Sequence, residues 1–461
     1  AHNLKVGGSN PSPATKLMTS QFKIFLNKIN TSEKIILFFF ALVPISFLFG
    51  NLSINLLFIL ISIIFLYEVL STHQLKKSIS PIFWVLIFFF ISLVVNVFFS
   101  INPLNSLPRV IKILLMICFV IQLQKNIQKY PNEYEKIIFG TWTIIFLVVT
   151  FDVIFEMFFG FNTLGLQSID PGRIASFFGT ELVVGSYYLG FCLIVLSYVH
   201  TNYKDNKLLK LFLIVFIIIV SFLIGERSNF IKILLGISLF YIFTSDLNFK
   251  NLTIIAILMF VSIFSIMETS KATKERYSYF FNITSHCNVA LQREPLYVLK
   301  AIGSSGDLTK KFCTIKDSLV YMYKASQYGA HYNVAYKIYK EFPIFGVGIK
   351  NFRYESNKDK YENIEYERTR HRQATHPHQI HLEILSETGT FGYLSFLIFI
   401  LLSLFLSLKN YFKNKNVFQL SGIIFVLTSL IPMLPSGSFF TTFSSGIFWV
   451  NYALMIAYIK E

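Results

Sequence analysis

Charged residues are scarce in this sequence of 461 residues. Only 14% are Asp, Glu, Lys or Arg, whereas 54% are hydrophobic, and the mean hydropathy is +0.57. This small number of charged residues cannot cover the surface of a water-soluble protein of this length. The composition therefore excludes a soluble globular protein for most of the chain. It predicts an integral membrane protein whose main contact is a lipid bilayer.

Cysteine is also rare, with four residues in the chain. Cys118 and Cys192 fall in apolar segments, where packing is the usual role of cysteine. Cys287 and Cys313 share one long polar stretch. They can form a disulfide if that stretch lies outside the cytoplasm, and the alternative of two free thiols stays open.

The first residues lack the apolar core and the cleavage site of a signal peptide. Residues 1–17 also match no composition found further along the chain. We expect them to be a non-native extension, with Met18 as the first residue of the natural protein.

Long apolar runs recur along the rest of the chain, and each is long enough to cross a bilayer as a helix. They predict an all-α, polytopic membrane protein with 18–267 forming transmembrane helices 1–9, 268–389 a large loop and 390–461 helices 10–12. The seventh and eighth helices form either a tight hairpin or one broken helix. The twelve predicted spans are 35–50, 52–70, 81–99, 107–124, 136–159, 180–199, 208–224, 229–243, 252–267, 390–408, 417–434 and 438–459.

Lysine is absent from every second short loop between these spans. Because cytoplasmic loops are rich in basic residues, this alternation places both termini in the cytoplasm and the loop 268–389 outside. The formal net charge of +16 therefore reports membrane topology, and a nucleic-acid partner is not expected.

Arginine is the rarer basic residue, nine of 41, and every arginine falls on the predicted outer side. A guanidinium presents planar paired donors that match phosphate oxygens, whereas lysine is a flexible point charge. Arg173 and Arg227 lie in outer loops between apolar spans, which favours a phosphate-binding role. Arg109 and Arg276 are explained as well by contact with lipid headgroups.

Three histidines occur within six residues of one another at the end of the loop: His376, His378 and His381. A metal site is not favoured, because the segment contains neither an HExxH motif nor a nearby cysteine. An imidazole titrates near neutral pH, so one of these histidines is a candidate general base. The other two are then polar loop residues.

Two motifs around these histidines resemble those of the O-antigen ligase and polymerase superfamily. The first is His-Gln, nine residues, Gly, two residues, Gly, formed by His378, Gln379, Gly389 and Gly392. The second is the stretch 343–352, PIFGVGIKNF, which contains Gly346 and Gly348.

The resemblance implies an inverting, metal-independent membrane glycosyltransferase of the GT-C type that needs no cofactor. Its donor would be a glycan linked to polyprenyl (undecaprenyl) diphosphate, and its acceptor the lipid A core of lipopolysaccharide or another glycan. The enzyme would lie in the bacterial inner membrane with its active site facing the periplasm.

The resemblance also implies roles for single residues. His378 takes the place of the catalytic histidine, and Arg227 that of the arginine that holds the diphosphate. Arg173 is a further candidate for the diphosphate because of its place in an outer loop, not because of the resemblance. The family's second arginine has no direct counterpart, since His331 stands nearest to that position. Arg370 is the candidate substitute from a group of later arginines, Arg353, Arg368, Arg370 and Arg372.

Glu387 is expected either to orient a histidine or an acceptor sugar, or to cap the start of the tenth span.

Three other functions remain in view for the whole chain. A polysaccharide polymerase of the same superfamily shares the donor chemistry, a lipid or polysaccharide transporter shares the architecture, and a membrane scaffold needs no active site at all. The ionisable residues cluster at one edge rather than at the membrane midplane, which disfavours a transporter.

Overall fold

The computed structural model describes residues 25–72, 81–170, 172–244, 249–269, 271–304, 309–362 and 372–459. The predicted extension 1–17 lies outside these ranges, and so do Arg368 and Arg370. Within them all regular secondary structure is helical, which confirms the all-α prediction.

The helices are numbered here in chain order. They are α1 Thr31–Ala41, α2 Val43–Leu48, α3 Asn51–Thr72, α4 Pro81–Phe98, α5 Pro103–Lys129, α6 Pro131–Phe159, α7 Val184–Asn202, α8 Lys207–Leu223, α9 Arg227–Thr244, α10 Phe249–Thr269, α11 Lys271–Phe281, α12 Ile283–Arg293, α13 Pro295–Ala301, α14 Ile315–Ala325, α15 Gln327–Glu341, α16 Phe352–Glu355, α17 Ile380–Asn414, α18 Val417–Ser429 and α19 Thr442–Ala457.

Seven of the described helices are long and apolar enough to cross a membrane, namely α3, α4, α5, α6, α7, α9 and α17. Three shorter apolar helices accompany them: Ala256–Glu268 within α10, α18 and α19. These findings support a polytopic helical membrane protein, but they do not supply the predicted twelve full-length spans. The predicted first span, for example, is divided into α1 and α2 with Pro44 in the first turn of α2, because proline cannot donate the hydrogen bond that would continue α1.

The predicted seventh and eighth spans are two separate helices, α8 and α9, which pack against each other. The turn at 224–226 joins them, so the hairpin is the alternative that the structure shows. The turn contains Gly225 at φ +78°, and a Cβ at this position would lie 2.3 Å from the carbonyl oxygen of Gly172. The hairpin turn therefore packs directly on the backbone of the preceding loop.

The core of the bundle is formed by α7, in which most residues are buried, and by α19, in which nearly every residue is buried. Helix α19 packs on α5 and α18, and α7 packs on α6, α18 and α9. Large aliphatic side chains of α3 instead point outward, including Leu52 at 82% exposure and Ile63 at 56%. A bundle that is apolar inside and outside is suited to a lipid environment.

Helices α11 to α15 form a cap between α10 and α17. A disulfide joins Cys287 to Cys313 and packs with Leu291, Val298 and Leu299 in a small core of its own. The structure thus shows the disulfide that the sequence left open.

Candidate active site

The two glycine motifs form one structural unit. The backbone N–H of Val347 donates to Ser386 O at 3.1 Å, and that of Phe391 donates to Ile344 O at 3.1 Å. Between these bonds α17 is interrupted at Gly389, which has φ +65°, and a Cβ there would lie 2.3 Å from Ile344 O. Only glycine fits this left-handed conformation and close approach, which explains the residue that the motif requires.

Gln379 and Glu387 anchor this unit in different ways. The side chain of Gln379 caps α17 by accepting a hydrogen bond from Leu382 N at 2.7 Å. Glu387 is fully buried and accepts from the backbone N of Lys350 at 2.8 Å. Glu387 thereby supports Lys350, whose backbone has the left-handed angle φ +64°. The sequence did not predict this contact.

Lys350 and Glu383 form a buried polar network beneath the histidine segment. The Lys350 Nζ atom donates to Ser438 Oγ at 2.8 Å and lies 3.8 Å from Glu383 Oε1, with side-chain exposures of 3% and 0%. Glu383 also accepts from Phe439 N at 2.7 Å. The network fixes the segment that begins with Ser436, whose N–H donates to the His378 carbonyl at 2.8 Å.

Glu383→Gln is expected to destabilise the protein, because it leaves the Lys350 ammonium buried without a carboxylate. Removal of one member of a buried ion pair costs about 3–5 kcal/mol, so the thermal unfolding temperature in detergent should fall by several degrees. Glu294→Gln, at an exposed position on the cap, is the matched control. Equal unfolding temperatures for the two variants would contradict the assigned role of the pair.

Three histidine rings lie together at the mouth of this network. The ring of His378 is stacked on that of His331 with centroids 5.2 Å apart, and it lies 4.0 Å from that of His376. Tyr328 meets His378 edge-on at 5.9 Å. His331, which is contributed by α15 of the cap, therefore lies beside the predicted catalytic histidine although 47 residues separate them in the chain.

The motif histidines, a set that excludes His331 and includes His381, differ in their hydrogen bonds. His381 uses both ring nitrogens, Nε2 at 2.8 Å from Leu430 O and Nδ1 at 3.2 Å from the Tyr393 hydroxyl. His376 has Nδ1 at 3.0 Å from Thr375 Oγ1, and its Nε2 is enclosed. His378 is half-buried, and among the described residues its ring contacts are other aromatic rings.

His378 is thus the motif histidine whose nitrogens are least committed to the fold. Burial, with the nearby His331 and Lys350 acting in the same direction, lowers the pKa of His378 to about 4. Its imidazole is consequently neutral at pH 7 and able to accept a proton.

A cluster of arginines forms the second part of the site, around the turn between α8 and α9. Arg173 Nη2 lies 3.3 Å from Glu226 Oε1, and Arg227 Nη1 donates to the Arg276 carbonyl at 3.1 Å. Arg276 Nε in turn donates to Gly225 O at 2.8 Å. Arg173 and Arg227, predicted as diphosphate ligands, therefore lie in one cluster, and Arg276 joins them.

Two carboxylates balance part of this positive charge. Asp170 Oδ2 lies 3.3 Å from Arg276 Nη1 and 3.9 Å from Arg173 Nη1. Burial raises the pKa of Glu226, whereas Arg173 acts in the opposite direction. Among the described residues, Asp170 pairs with both Arg173 and Arg276, and Glu226 pairs with Arg173, so these carboxylates help to hold the cluster in place.

The loop that carries Arg173 is held by two acidic residues of α6. Ser176 Oγ donates to Asp152 Oδ2 at 2.6 Å, and Ala175 N donates to Glu156 Oε1 at 3.2 Å. These carboxylates are saturated by the loop, so they position Arg173 and are not free to bind a ligand themselves.

Helix α9 connects the arginine cluster with the histidine segment. Asn229, half a turn beyond Arg227, donates to Ser186 Oγ at 3.1 Å, and the Lys232 Nζ atom donates to Pro435 O at 2.9 Å. A cavity of about 60 Å³ lies along this path, lined by Asn229, Lys232 and the residues from Ser436 to Phe439 among others. The two clusters therefore lie at the same end of the bundle and share a polar connection.

The candidate substitutes for the family's second arginine have separate outcomes. Arg370 lies outside the described residues. Arg372 is buried and pairs with Asp359 at 3.3 Å.

Lys350 and Glu383 were not identified from sequence. The spacing of four residues places Glu383 and Glu387 on one face of α17, but exposed helices show the same spacing, so the burial of this face was visible only in the structure.

Comparison with known proteins supports the interpretation of these motifs. Residues 211–397 match the family model described as O-Antigen ligase, and this region includes Arg227, His331, Lys350 and His378. No curated protein matches the chain. The match supports membership of the O-antigen ligase superfamily and covers the part of the chain that carries both sequence motifs.

Proposed function

We propose that this protein transfers a glycan from a polyprenyl diphosphate carrier to an acceptor hydroxyl, as an O-antigen ligase that uses the lipid A core as acceptor. The observation that carries the proposal is the placement of a neutral histidine and an arginine cluster at the same end of a membrane bundle. This pairing provides a base for the acceptor and a cationic site for the leaving group.

The arginine cluster is the proposed site of the donor diphosphate. Arg227 and Arg173 would bind its oxygens, and the amino terminus of α9 adds a favourable dipole for an anion. The apolar tail of the carrier would extend along the outward-facing aliphatic side chains of the bundle. His331, also a diphosphate candidate from sequence, lies in the histidine cluster, where its ring stacks on that of His378.

The reaction is a single displacement at the anomeric carbon. His378 accepts the proton of the acceptor hydroxyl, whose oxygen forms the new bond to the sugar. The bond between the anomeric carbon and the diphosphate oxygen breaks, and its electron pair remains on the diphosphate, where Arg227 stabilises the charge. The configuration of the anomeric carbon is inverted by this step.

The cap disulfide supports an extracytoplasmic location for the site, because disulfides persist in oxidising compartments. Cys287 and Cys313 belong to the same segment of the chain as His331. Together with the lysine distribution of the short loops, this favours an active site on the periplasmic side of the inner membrane, with both termini in the cytoplasm.

Deletion of the gene tests the proposed function directly. A ligase predicts complete loss of glycan attached to lipid A, with accumulation of carrier-linked glycan that is exposed on the outer leaflet. Retention of single repeat units on lipid A would instead indicate a polymerase. Accumulation of carrier-linked glycan on the inner leaflet only would indicate a transporter. Complementation with the full-length protein is the control.

A further inference from the structure

A second group of basic side chains, unused in the mechanism above, lies where α5 meets the segment 349–353. Ser106 Oγ donates to Ile349 O at 2.9 Å. Asn105 Nδ2 lies 3.4 Å from Asn351 Oδ1, and Asn351 Nδ2 donates to Ser100 Oγ at 2.6 Å. These bonds fix the first turns of α5 against the glycine motif.

The helical repeat places Arg109 at this junction. It follows Asn105 by four residues and Ser106 by three, so it lies on the face of α5 that contacts the segment 349–353. Arg353 belongs to that segment and is an electrostatic neighbour of Arg109. Lys112, one further turn along the same face, donates to Thr442 Oγ1 and neighbours both Arg109 and Lys350.

These basic groups have little compensation from the protein. Among the described residues neither Arg109, Lys112 nor Arg353 forms an ion pair within 4.0 Å, and the enclosed Nε of Arg353 has no hydrogen-bond partner there. The acid near Arg109 is Glu387, which already accepts from Lys350 N. Like charges that are partly withdrawn from water are costly unless an anion joins them.

The arginine cluster at α8 and α9 provides the contrast. There Asp170 and Glu226 pair with the guanidinium groups, so the charges are held in place by the fold. At the junction of α5 no carboxylate among the described residues forms an ion pair with Arg109, Lys112 or Arg353.

We infer that Arg109, Lys112 and Arg353 form a second phosphate-binding site, which is separate from the cluster of Arg173, Arg227 and Arg276. Neighbouring guanidinium groups can share the oxygens of one phosphate through paired hydrogen bonds. Lys350 is an electrostatic neighbour of both Lys112 and His378, so a phosphate held here would lie beside the reacting hydroxyl.

This inference rests on the proposed function for the origin of the phosphate, which belongs either to the donor diphosphate or to a phosphorylated acceptor. The existence of the site does not depend on transfer activity. Binding and kinetics therefore test the two parts separately.

Calorimetric titration of the full-length protein in detergent with inorganic pyrophosphate tests the site itself. We expect two binding sites in the wild type, with the Arg109→Gln/Arg353→Gln double variant retaining the site that Arg227→Ala removes. Affinity at the lost site should fall at least about tenfold, since a charge-assisted hydrogen bond is lost. An unchanged isotherm for the double variant, or loss of all binding in Arg227→Ala, would overturn the inference.

Two further measurements complete the test. The single variants Arg109→Gln and Arg353→Gln, checked by thermal unfolding, replace the double variant if it does not fold, and the exposed Arg293→Gln is the matched control. In the transfer assay a rise of about tenfold in the KM of the donor alone assigns the phosphate to the donor, and a rise in the KM of the acceptor alone assigns it to the acceptor. Unchanged KM values for both substrates in an active enzyme would count against a substrate phosphate at this site.

Discussion

His378→Ala lowers the rate of glycan transfer by about 10²- to 10⁴-fold, the usual contribution of a positioned general base. The loss should be in kcat, because the arginine cluster that binds the donor lies on other elements and stays intact. Transfer of a radiolabelled glycan by purified protein measures the rate, and co-purified carrier-linked glycan measures donor binding.

Neighbouring histidines provide the controls for this variant. His376→Ala removes a ring 4.0 Å from that of His378 but leaves the base in place, so a much smaller loss is expected. His381→Ala should lower the unfolding temperature, because His381 bonds to Leu430 O and to Tyr393. If His376→Ala were inactive and His378→Ala active, the base would have to be reassigned to His376.

The pH dependence of the wild type tests the same assignment. The pKa of His378 is lowered to about 4, so the free enzyme keeps its base neutral until the pH falls to that region. The acid limb of kcat/KM should therefore lie near pH 4 and not near 6.5, the ordinary value for histidine. A bound diphosphate is negatively charged and favours the imidazolium, so the acid limb of kcat should lie at a higher pH.

The same shift makes the fold sensitive to acid. Because the unfolded chain binds a proton at His378 near pH 6.5 and the folded protein only near pH 4, stability decreases as the pH falls through this interval. The pH dependence of stability should be weaker in His378→Ala, with a remainder from His376, whose pKa burial also lowers. Thermal unfolding at several pH values compares the two proteins.

Arg227→Ala is expected to lower transfer by about 10²- to 10³-fold, since it removes a donor that stabilises charge developing on the leaving diphosphate. Arg227→Lys should recover only part of the activity, because a lysine lacks the paired donors of a guanidinium. Both kcat and the KM of the carrier-linked donor are measured, and both are expected to change.

Arg293→Ala is the matched control, since this arginine is exposed on α12. Arg227 also donates to the Arg276 carbonyl, so loss of fold has to be separated from loss of chemistry. An Arg227→Ala protein with wild-type unfolding temperature and wild-type transfer rate would remove Arg227 from the mechanism.

Much of the architecture could be predicted from the chain alone because its signals are local. Runs of apolar residues predict membrane helices wherever they occur, and the gap between the predicted spans 208–224 and 229–243 corresponds to the turn between α8 and α9. The break of the first predicted span at Pro44 shows the limit of this approach, since an apolar run measures hydrophobicity and not helix continuity.

Residue chemistry likewise indicated the parts of the site. A short motif identified His378 and Gln379, and the scarcity of arginine directed attention to Arg173 and Arg227. The scarcity of arginine could not show whether Arg276 belongs to a binding site or contacts a lipid headgroup. Its position beside the turn at Gly225 depends on how the helices pack.

By itself, then, the sequence determined a polytopic helical membrane protein, the side chains with suitable chemistry and the family motif. Only the tertiary structure decided which of them meet: His331 with His378, Arg276 with Arg173 and Arg227, and Lys350 with Glu383. The physical reason is that periodicity and hydrophobicity act over a few neighbouring residues, whereas these partners are 33 to 103 positions apart and are brought together by the packing of whole helices.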